Sequence, residues 1–376
     1  MTGGTGPAGR PIVIAGGGTA GHVLPALAVA HALVQRGRDP STIRFVGSAR
    51  GLEARLVPEA GFALTLLPGR GVVRRVSWQA VTAVAANAAA TVRALWLIGR
   101  WRPAVILSVG GYAAVPCAVA ALVWRVPLVV AESNAVPGAT NRISARWARA
   151  AAVAFDGTGL PRAHRTGNPV RAEVVGVSRR PEARSTAQRQ FGIPEGRTVV
   201  AVTGGSLGAR RVNDAVIDLA ARWADRGDVA IYHAIGSRDW PELSAHLPSE
   251  QTGGLWYRGV EYEDRVPLLL EAADLWIGRA GGTTIAELTA VGMPSILIPL
   301  PIAPHDHQAV GARRLEATGA CRVVLDKDCT GARLAEEVGA LVDTPGALAA
   351  MAAAAAAHGR PDAADQVAAL LEPARG

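Results

Sequence analysis

Cysteine is nearly absent: Cys117, Cys321 and Cys329 are the only three in 376 residues, odd in number and with no short paired spacing. So few exclude a disulfide framework in a chain this long and fit a reducing compartment. The first ten residues are glycine-rich with a single arginine and hold no apolar core before the strand-like Pro11 to Ala15, so no signal peptide is expected and the protein is expected to stay inside the cell. Charged residues make up only 19% against 49% hydrophobic, and the 43 glycines and 24 prolines are spread along the chain, not pooled in one tract. Disorder is therefore expected only at the ends, with a turn-rich globular protein between them. The length exceeds one ordinary core and suits two domains.

One uncharged run, Ala104 to Trp124, is about as long as a membrane span requires. Ser108, Gly110-Gly111, Tyr112 and Pro116 break it into a short β-branched run, a turn and a helix start, which is the pattern of a βα unit and not of a transmembrane helix. The net charge of +8 is unevenly placed: residues 1–170 carry 18 arginines against 5 acidic residues (+13), and residues 171–376 carry 21 basic against 26 acidic (−5). A basic first half suits nucleic acid, anionic lipid headgroups or a pyrophosphate-bearing substrate. Arginine enrichment from a biased genome would not by itself produce the asymmetry.

Short apolar runs alternate with helical patterns: Ile12 to Ile14 then Pro25 to Gln35, Ile43 to Val46 then Leu52 to Glu59, Val105 to Leu107 then Val115 to Trp124. The pattern restarts with Thr198 to Val202, Val229 to His233, Leu275 to Ile277 and Ser295 to Ile298. Such alternation predicts α/β domains with parallel sheets. The segments IVIAGGGTAG (12–21) and VVAVTGGSLGA (199–209) open each half in the same way. Two doubly wound, Rossmann-like domains facing a cleft follow, with boundaries at 1–176 and 197–376 and a polar, turn-rich linker at 177–196. The alanine-rich tail near Leu348 to Ala357 reads as helix, and the last helix is a candidate to pack back on the N-terminal domain.

Glycine loops carry the candidate chemistry. Gly16-Gly17-Gly18-Thr19-Ala20-Gly21-His22 follows a strand and opens a helix, so its amides and the helix dipole can face an anion. It matches G-x-G-x-x-G, but the second strand ends in Gly47-Ser48 with no carboxylate to hold a ribose, which argues against a nicotinamide cofactor. His22 stands at a helix N-terminus, where the neutral, proton-accepting imidazole is favoured. The loops 108–112 and 203–209 repeat the arrangement, together lining one rim with phosphate-ready amides, and Ser206 adds a hydroxyl. In Arg279 to Glu287 small residues let a flat base approach the backbone, and Glu287 suits the two hydroxyls of a ribose. His305-Asp306-His307 lacks a clear third metal ligand. Asp326-Lys327-Asp328 stands beside no glycine loop and reads as solvated, so no metal is expected, and helix termini would stabilise a departing diphosphate.

The succession GGGTAGH (16–22), GGYAAVP (110–116), ESNAVPGATN (132–141), GNPVR (167–171), TGGSLGARRVN (203–213), RAGGTTIAEL (279–288) and DHQ (306–308) resembles the MurG family in order, spacing and end-to-end coverage. The resemblance implies a GT-B fold and an inverting transfer of N-acetylglucosamine from UDP-N-acetylglucosamine to lipid-linked N-acetylmuramyl-pentapeptide, lipid I to lipid II, in peptidoglycan synthesis. The N-terminal domain would take the undecaprenyl-pyrophosphoryl acceptor and the C-terminal domain the donor. By position, Thr19, Ala20, Gly21, Asn134, Arg171, Ser206, the backbone near Glu263, Gly282, Thr283, Thr284, Glu287 and Gln308 would contact the donor, with Arg171 and Ser206 on the diphosphate, Glu287 on the ribose, the backbone near Glu263 on the uracil, and Asn134 and Gln308 on sugar hydroxyls. His22 is the candidate base. UDP-N-acetylglucosamine is a co-substrate, and no cofactor or nucleic acid is implied.

Two departures concern the acceptor side: the family usually carries histidine where this chain has Ala131, and asparagine where it has Gly311. A second copy within one genome, a transferase acting on another lipid or a secondary metabolite, and a silent nucleotide-sugar-binding scaffold remain alternatives. From Gly69 to Pro103, Arg70, Arg74, Arg75, Arg93, Arg100 and Arg102 mix with Val72, Val73, Trp78, Trp96 and Trp101. That mixture suits anionic inner-leaflet lipids and a peripheral place on the cytoplasmic face of the cell membrane.

Overall fold

The computed structural model describes residues 9–49, 51–68, 78–205, 207–248, 254–303 and 306–372, with the backbone alone for 78–84. Ser206, His305, Arg70, Val72, Val73, Arg74, Arg75 and the Trp78 side chain therefore lie outside what is described. The chain forms two compact units, residues 1–171 with 362–376, and residues 172–361.

The first unit runs β1 (Ile12–Ala15), α1 (Ala20–Gln35), β2 (Ile43–Ser48), α2 (Glu53–Glu59), β3 (Ala63–Leu67), α3 (Trp78–Trp101), β4 (Val105–Ser108), α4 (Val115–Val123), β5 (Leu128–Glu132), α5 (Ala139–Ser144), β6 (Ala150–Val153) and β7 (Ala163–Arg165). All seven strands are parallel, in the order β3-β2-β1-β4-β5-β6-β7. Their central runs are apolar on both faces because helices cover both. Ile12, Ile14, Phe45 and Leu107 pack with α1, while Val13, Val46, Ile106 and Val130 pack with α3 and α4. The uncharged run 104–124 divides into β4, a 3-10 turn at Tyr112–Ala114 and α4. Among the described residues no single helix is long and apolar enough to cross a membrane.

The second unit runs α6 (Ala172–Val175), α7 (Pro181–Gln190), β8 (Thr198–Thr203), α8 (Arg210–Arg222), β9 (Val229–Ala234), α9 (Trp240–Leu243), β10 (Trp256–Val260), α10 (Val266–Ala272), β11 (Leu275–Arg279), α11 (Gly282–Ala290), β12 (Ser295–Ile298), α12 (His307–Glu316), β13 (Arg322–Val323), α13 (Gly331–Val342) and α14 (Ala347–His358). Its sheet is parallel in the order β10-β9-β8-β11-β12-β13.

The stretch 177–196, read from the sequence as a linker, carries α7 and is tied into this second unit. Arg179 donates to Leu270 O at 2.9 Å and Ala273 O at 2.6 Å, covering the carbonyl end of α10. Gln188 Nε2 donates to Ala272 O at 3.0 Å, and Arg184 pairs with Asp274. Phe191 is buried, with the Tyr232 ring 4.9 Å away and the Arg265 guanidinium 4.5 Å above it. The polar composition divides between these anchoring groups and the exposed Glu182, Arg189 and Gln190 on the solvent side of the helix.

The last helix, α15 (Ala363–Leu371), is part of the first unit and lies along α1. Val367, Ala368 and Leu371 are buried among Ala30, Leu33 and Phe45. Arg36 holds its outer side, 2.7 Å from Asp365 and 2.9 Å from Glu372. Leu371→Ala, which opens a cavity under α1, is expected to lower stability by about 2–5 kcal/mol, read as an earlier guanidinium midpoint.

Candidate active site

In a doubly wound sheet, ligands bind beyond the carboxyl ends of the strands where the strand order reverses. In the first unit that point lies between β1 and β4, and the first two glycine loops follow those strands. They touch. A Cβ on Gly16 would meet Val109 Cγ2 at 2.5 Å and Gly110 O at 2.7 Å, and one on Gly111 would meet Gly17 O at 2.9 Å. Only glycine lets the two backbones pass so closely.

The first loop does not present all its amides outward. Glu53, at the start of α2, is buried, and its carboxylate accepts from Gly18 N at 2.7 Å, Ser48 N at 2.8 Å and Ser48 Oγ at 3.0 Å. Tyr112 OH donates to Ser48 Oγ at 2.9 Å and ties in the second loop. A carboxylate therefore does stand at the end of β2, supplied five residues later, but it faces the loop and not a ribose. Sequence reasoning missed Glu53; the available signal was its bracketing by Gly47 and Gly51, whose Cβ positions its side chain fills.

His22 lies in the first turn of α1, half-buried, with Nδ1 3.2 Å from Thr19 Oγ1. Burial lowers its pKa below the ordinary imidazole value, while Glu132 and then Glu53 oppose the shift, so the ring is neutral at pH 7. Across from it, a Cβ on Gly110 would stand 3.4 Å from His22 Nε2 and 3.3 Å from Asn141 Nδ2. Glu132 is buried at the end of β5 and orders the next loop: Oε1 accepts from Asn134 N at 3.0 Å and Asn134 Nδ2 at 2.9 Å, and Oε2 from Gly138 N and Asn141 Nδ2 at 3.0 Å each. Asn134 is thus anchored through its nitrogen, leaving Oδ1 as its remaining polar atom. Ala131 lines a small cavity with Gly21, His22, Ser133 and Asn168. Thr19, Ala20, Gly21 and His22 thus stand at the switch point, Asn134 lies on the neighbouring loop after β5, and Arg171 ends the first unit.

In the second unit the order reverses between β8 and β11, and the third and fourth glycine loops follow those strands. The four loops thus fall into two pairs, one per unit. After β8, Gly208 takes φ +87° against Ile235 O, and α8 begins at Arg210. A buried polar chain underlies this turn. Asn213 Nδ2 donates to Ile235 O and Asp239 Oδ2 at 3.0 Å each, so its Oδ1, 3.0 Å from His233 Nε2, must accept. His233 Nδ1 then accepts from Tyr257 OH at 2.9 Å, which fixes a neutral tautomer. These residues are a second set the sequence reading missed.

After β11, Gly281 caps α11, and the helix N-terminus with Gly282, Thr283 and Thr284 faces the same end of the sheet. Glu287 follows on α11, half-buried. Gln308 Oε1 accepts from Leu300 N at 2.9 Å, which leaves its amide nitrogen as the donor end. The Glu263 carboxylate is consumed internally: burial pushes its pKa up, but hydrogen bonds from Arg265 and from Tyr232 OH, at 2.5 Å, outweigh that and hold it below the usual value. Any ligand contact there falls to the backbone.

Asp326 is not solvated, contrary to the sequence reading. It lies 2.7 Å from Arg279 Nη1 and 3.3 Å from Arg211 Nε, and Arg279 directly precedes the fourth glycine loop. The spacing of Asp326-Lys327-Asp328 could not reveal this pairing because Arg279 is distant in sequence. Lys327 and Asp328 are exposed. Among the described residues no cluster of three or more His, Cys, Asp or Glu could hold a metal.

His233 supplies a pH test of the buried chain. Burial pushes its imidazole down to about 3, whereas the unfolded chain binds a proton below about 6.5. Stability is therefore full above 6.5 and falls by about 1.4 kcal/mol per pH unit as pH drops toward 3. Between pH 7 and 5 the parent is expected to lose about 2 kcal/mol more than His233→Gln, measured by denaturant unfolding at each pH.

Residues 12–153 match the Glycosyltransferase family 28 N-terminal domain and residues 199–367 the Glycosyltransferase family 28 C-terminal domain. The chain is 38% identical over 373 residues to a UDP-N-acetylglucosamine–N-acetylmuramyl-(pentapeptide) pyrophosphoryl-undecaprenol N-acetylglucosamine transferase of Desulforudis audaxviator, covering 97% of this chain and 98% of that one. A protein of the same name from Mycobacterium avium is 41% identical over 95% of this chain and 87% of its own. The crystal structure of Acinetobacter baumannii MurG superposes with a TM-score of 0.77 at 26% identity, over 96% of this chain and 99% of that chain. With both units built as Rossmann-like, GT-B-type domains and the relatedness running end to end, the chain belongs to the MurG family of N-acetylglucosamine transferases.

Proposed function

We propose that the protein transfers N-acetylglucosamine from UDP-N-acetylglucosamine to the lipid-linked N-acetylmuramyl-pentapeptide, converting lipid I to lipid II in peptidoglycan synthesis. The observation that carries this reading is the pair of switch points, each followed by glycine loops, in a chain that aligns over 98% of its Desulforudis audaxviator relative. In the second unit the N-terminus of α11 receives the donor, with Gly282, Thr283 and Thr284 beneath the nucleotide and Glu287 on the ribose hydroxyls. Ser206 and Arg171 take the diphosphate, the backbone near Glu263 the uracil edge, and Gln308 a sugar hydroxyl through its amide nitrogen. Thr19, Ala20, Gly21 and Asn134, in the first unit, are the further residues assigned to substrate.

The acceptor hydroxyl oxygen attacks the anomeric carbon as the bond to the UDP oxygen breaks, with inversion. In the tautomer whose Nδ1–H donates to Thr19 Oγ1, 3.2 Å away, Nε2 carries the lone pair that takes the hydroxyl proton. The negative charge developing on UDP is met by helix N-termini and not by a metal. Support for a metal-free reaction is that Asp326 of the Asp-x-Asp is already paired with Arg279 and Arg211.

The acceptor is lipid-bound, so the enzyme must work at a membrane surface. At the carboxyl ends of α3 and α4, Val92, Trp96, Leu122, Val123 and Trp124 are exposed, Trp96 at 64%. Exposed Arg93, Arg100 and Arg125 accompany them. Trp124 is held in place by its Nε1 bond to Leu95 O at 2.9 Å. Apolar and basic groups together suit the headgroup region of anionic inner-leaflet lipids, giving a peripheral protein on the cytoplasmic face.

The deciding experiment mixes the purified protein with UDP-N-acetylglucosamine and a short-chain lipid-linked muramyl pentapeptide in the presence of EDTA, and measures UDP and disaccharide. Equal yields of both support the reading; donor binding without product would move the search to another acceptor. His22→Gln is expected to lower kcat by about 100-fold or more while donor affinity holds. Trp96→Ser with Val123→Ser is expected to cut sedimentation with anionic vesicles several-fold at unchanged thermal midpoint, leaving turnover of a water-soluble acceptor analogue intact.

A further inference from the structure

Glu53 is a buried carboxylate beside the first glycine loop, and the reaction above assigns it no task. It is 2% exposed, yet it belongs to no ion pair among the described residues. Its partners are all hydrogen-bond donors: Gly18 N from the first glycine loop, and Ser48 N and Oγ from the end of β2. Three glycines make room for it, since Cβ atoms on Gly17, Gly47 and Gly51 would each collide with its side chain. A loop of this shape ordinarily receives an external anion on its amides. Here the seat at Gly18 is filled from within.

We propose that Glu53 is a positioning residue for the transfer reaction: its carboxylate acts as an internal anion that clamps the first glycine loop against β2 and the second loop and thereby sets the place and charge environment of His22. The clamp reaches the second loop through Ser48 and Tyr112, whose OH lies 2.9 Å from Ser48 Oγ. Thr19, the N-cap of α1, follows Gly18 directly and His22 lies in the first turn, so the hydrogen bond to Gly18 N fixes where α1 starts and where the imidazole stands. Because the seat is taken, the pyrophosphate of either substrate is kept off Gly18 and must use the amides further into α1.

The charge matters as well as the clamp. Burial favours the neutral imidazole and weakens it as a base, and the carboxylates that offset this are Glu132 from β5 and Glu53 from α2. Tyr112, from the second loop, is the other titratable side chain against this loop, its ring 4.0 Å from a Cβ built on Gly18. The inference rests on His22 being the base.

Glu53→Gln keeps the volume but removes the charge and turns an amide N–H₂ toward a donor. The variant is expected to fold and to keep its donor KM within about twofold, while kcat falls by about tenfold or more. The acid limb of its kcat–pH profile is expected to move to lower pH, because the imidazole loses a stabilising negative charge. Ser48→Ala retains the charge and is expected to leave the limb in place. A parent-like kcat and limb in Glu53→Gln, or the same profile in Glu53→Gln and Ser48→Ala, overturns the proposal. Should Glu53→Gln fail to fold, Glu53→Asp, which draws the charge back by one methylene, is expected to lose kcat at constant donor KM; parent-like kcat in that variant overturns it equally. His22→Gln separates the two levels. If the acid limb vanishes there, the base reading stands, and a parent-like Glu53→Gln then refutes only the role of Glu53; a limb that survives in His22→Gln overturns both.

Discussion

The constraint on which the site depends is the reversal of strand order in each sheet. From β1 the chain moves outward to β2 and β3 and then returns to lay β4 on the other side of β1; from β8 it does the same through β9 and β10 before β11. The helices after the two central strands must leave to opposite faces, so their connecting loops diverge and open a space at the carboxyl edge. Glycine is required where the loops still meet, as at Gly16 against Val109 and Gly111 against Gly17. Two sheets built this way give two helix N-termini per unit, four in all, available to substrates rich in phosphate.

Backbone geometry alone would leave those loops under-determined, and buried polar side chains finish the work. In the first unit two carboxylates serve as internal acceptors: Glu53 for the loop after β1 and Glu132 for the loop after β5. In the second unit Asn213, His233 and Tyr257 form a chain in which each donor and acceptor is assigned by its neighbour. Such groups cost free energy to bury unless every lone pair finds a donor, so they specify one loop conformation and disfavour alternatives. The sites therefore present fixed dipoles that need no reorganisation when charge develops.

Much of this was legible in the sequence, for a physical reason: a parallel strand covered on both faces must be apolar throughout, and Ile12 to Ala15, Val105 to Leu107 and Val199 to Val202 read that way without a partner. The strand-turn-helix loops were equally visible because glycine and the following helix are local. What stayed hidden was non-local. Glu53 looks like an ordinary first-turn acid of α2, and only the fold shows it facing Gly18. Asp326 looks solvated until Arg279 arrives beside it from β11. The stretch 177–196 reads as linker because Arg179, Arg180, Pro181 and Pro194 dominate its composition, while its anchoring groups, Arg179, Arg184, Gln188 and Phe191, act only through contacts with α10 and its neighbours.

The departure at Ala131 can be given a place in the same terms. Side chains alternate along β5: Val130 packs on the side of α3 and α4, whereas Ala131 packs on the side of α1. Position 131 therefore faces the helix that carries His22, and the cavity it lines also touches His22, Pro25 and Val29. A histidine at 131, which the resemblance to the family implies for this position, would set a second titratable ring beside the first. With alanine there, the charges acting on His22 within this unit are the carboxylates of Glu132 and Glu53. The departure thus leaves to those two acids whatever tuning of the His22 imidazole a neighbouring ring would otherwise share, and Ala131 makes none of the glycine-loop contacts with Glu53, Ser48 and Tyr112.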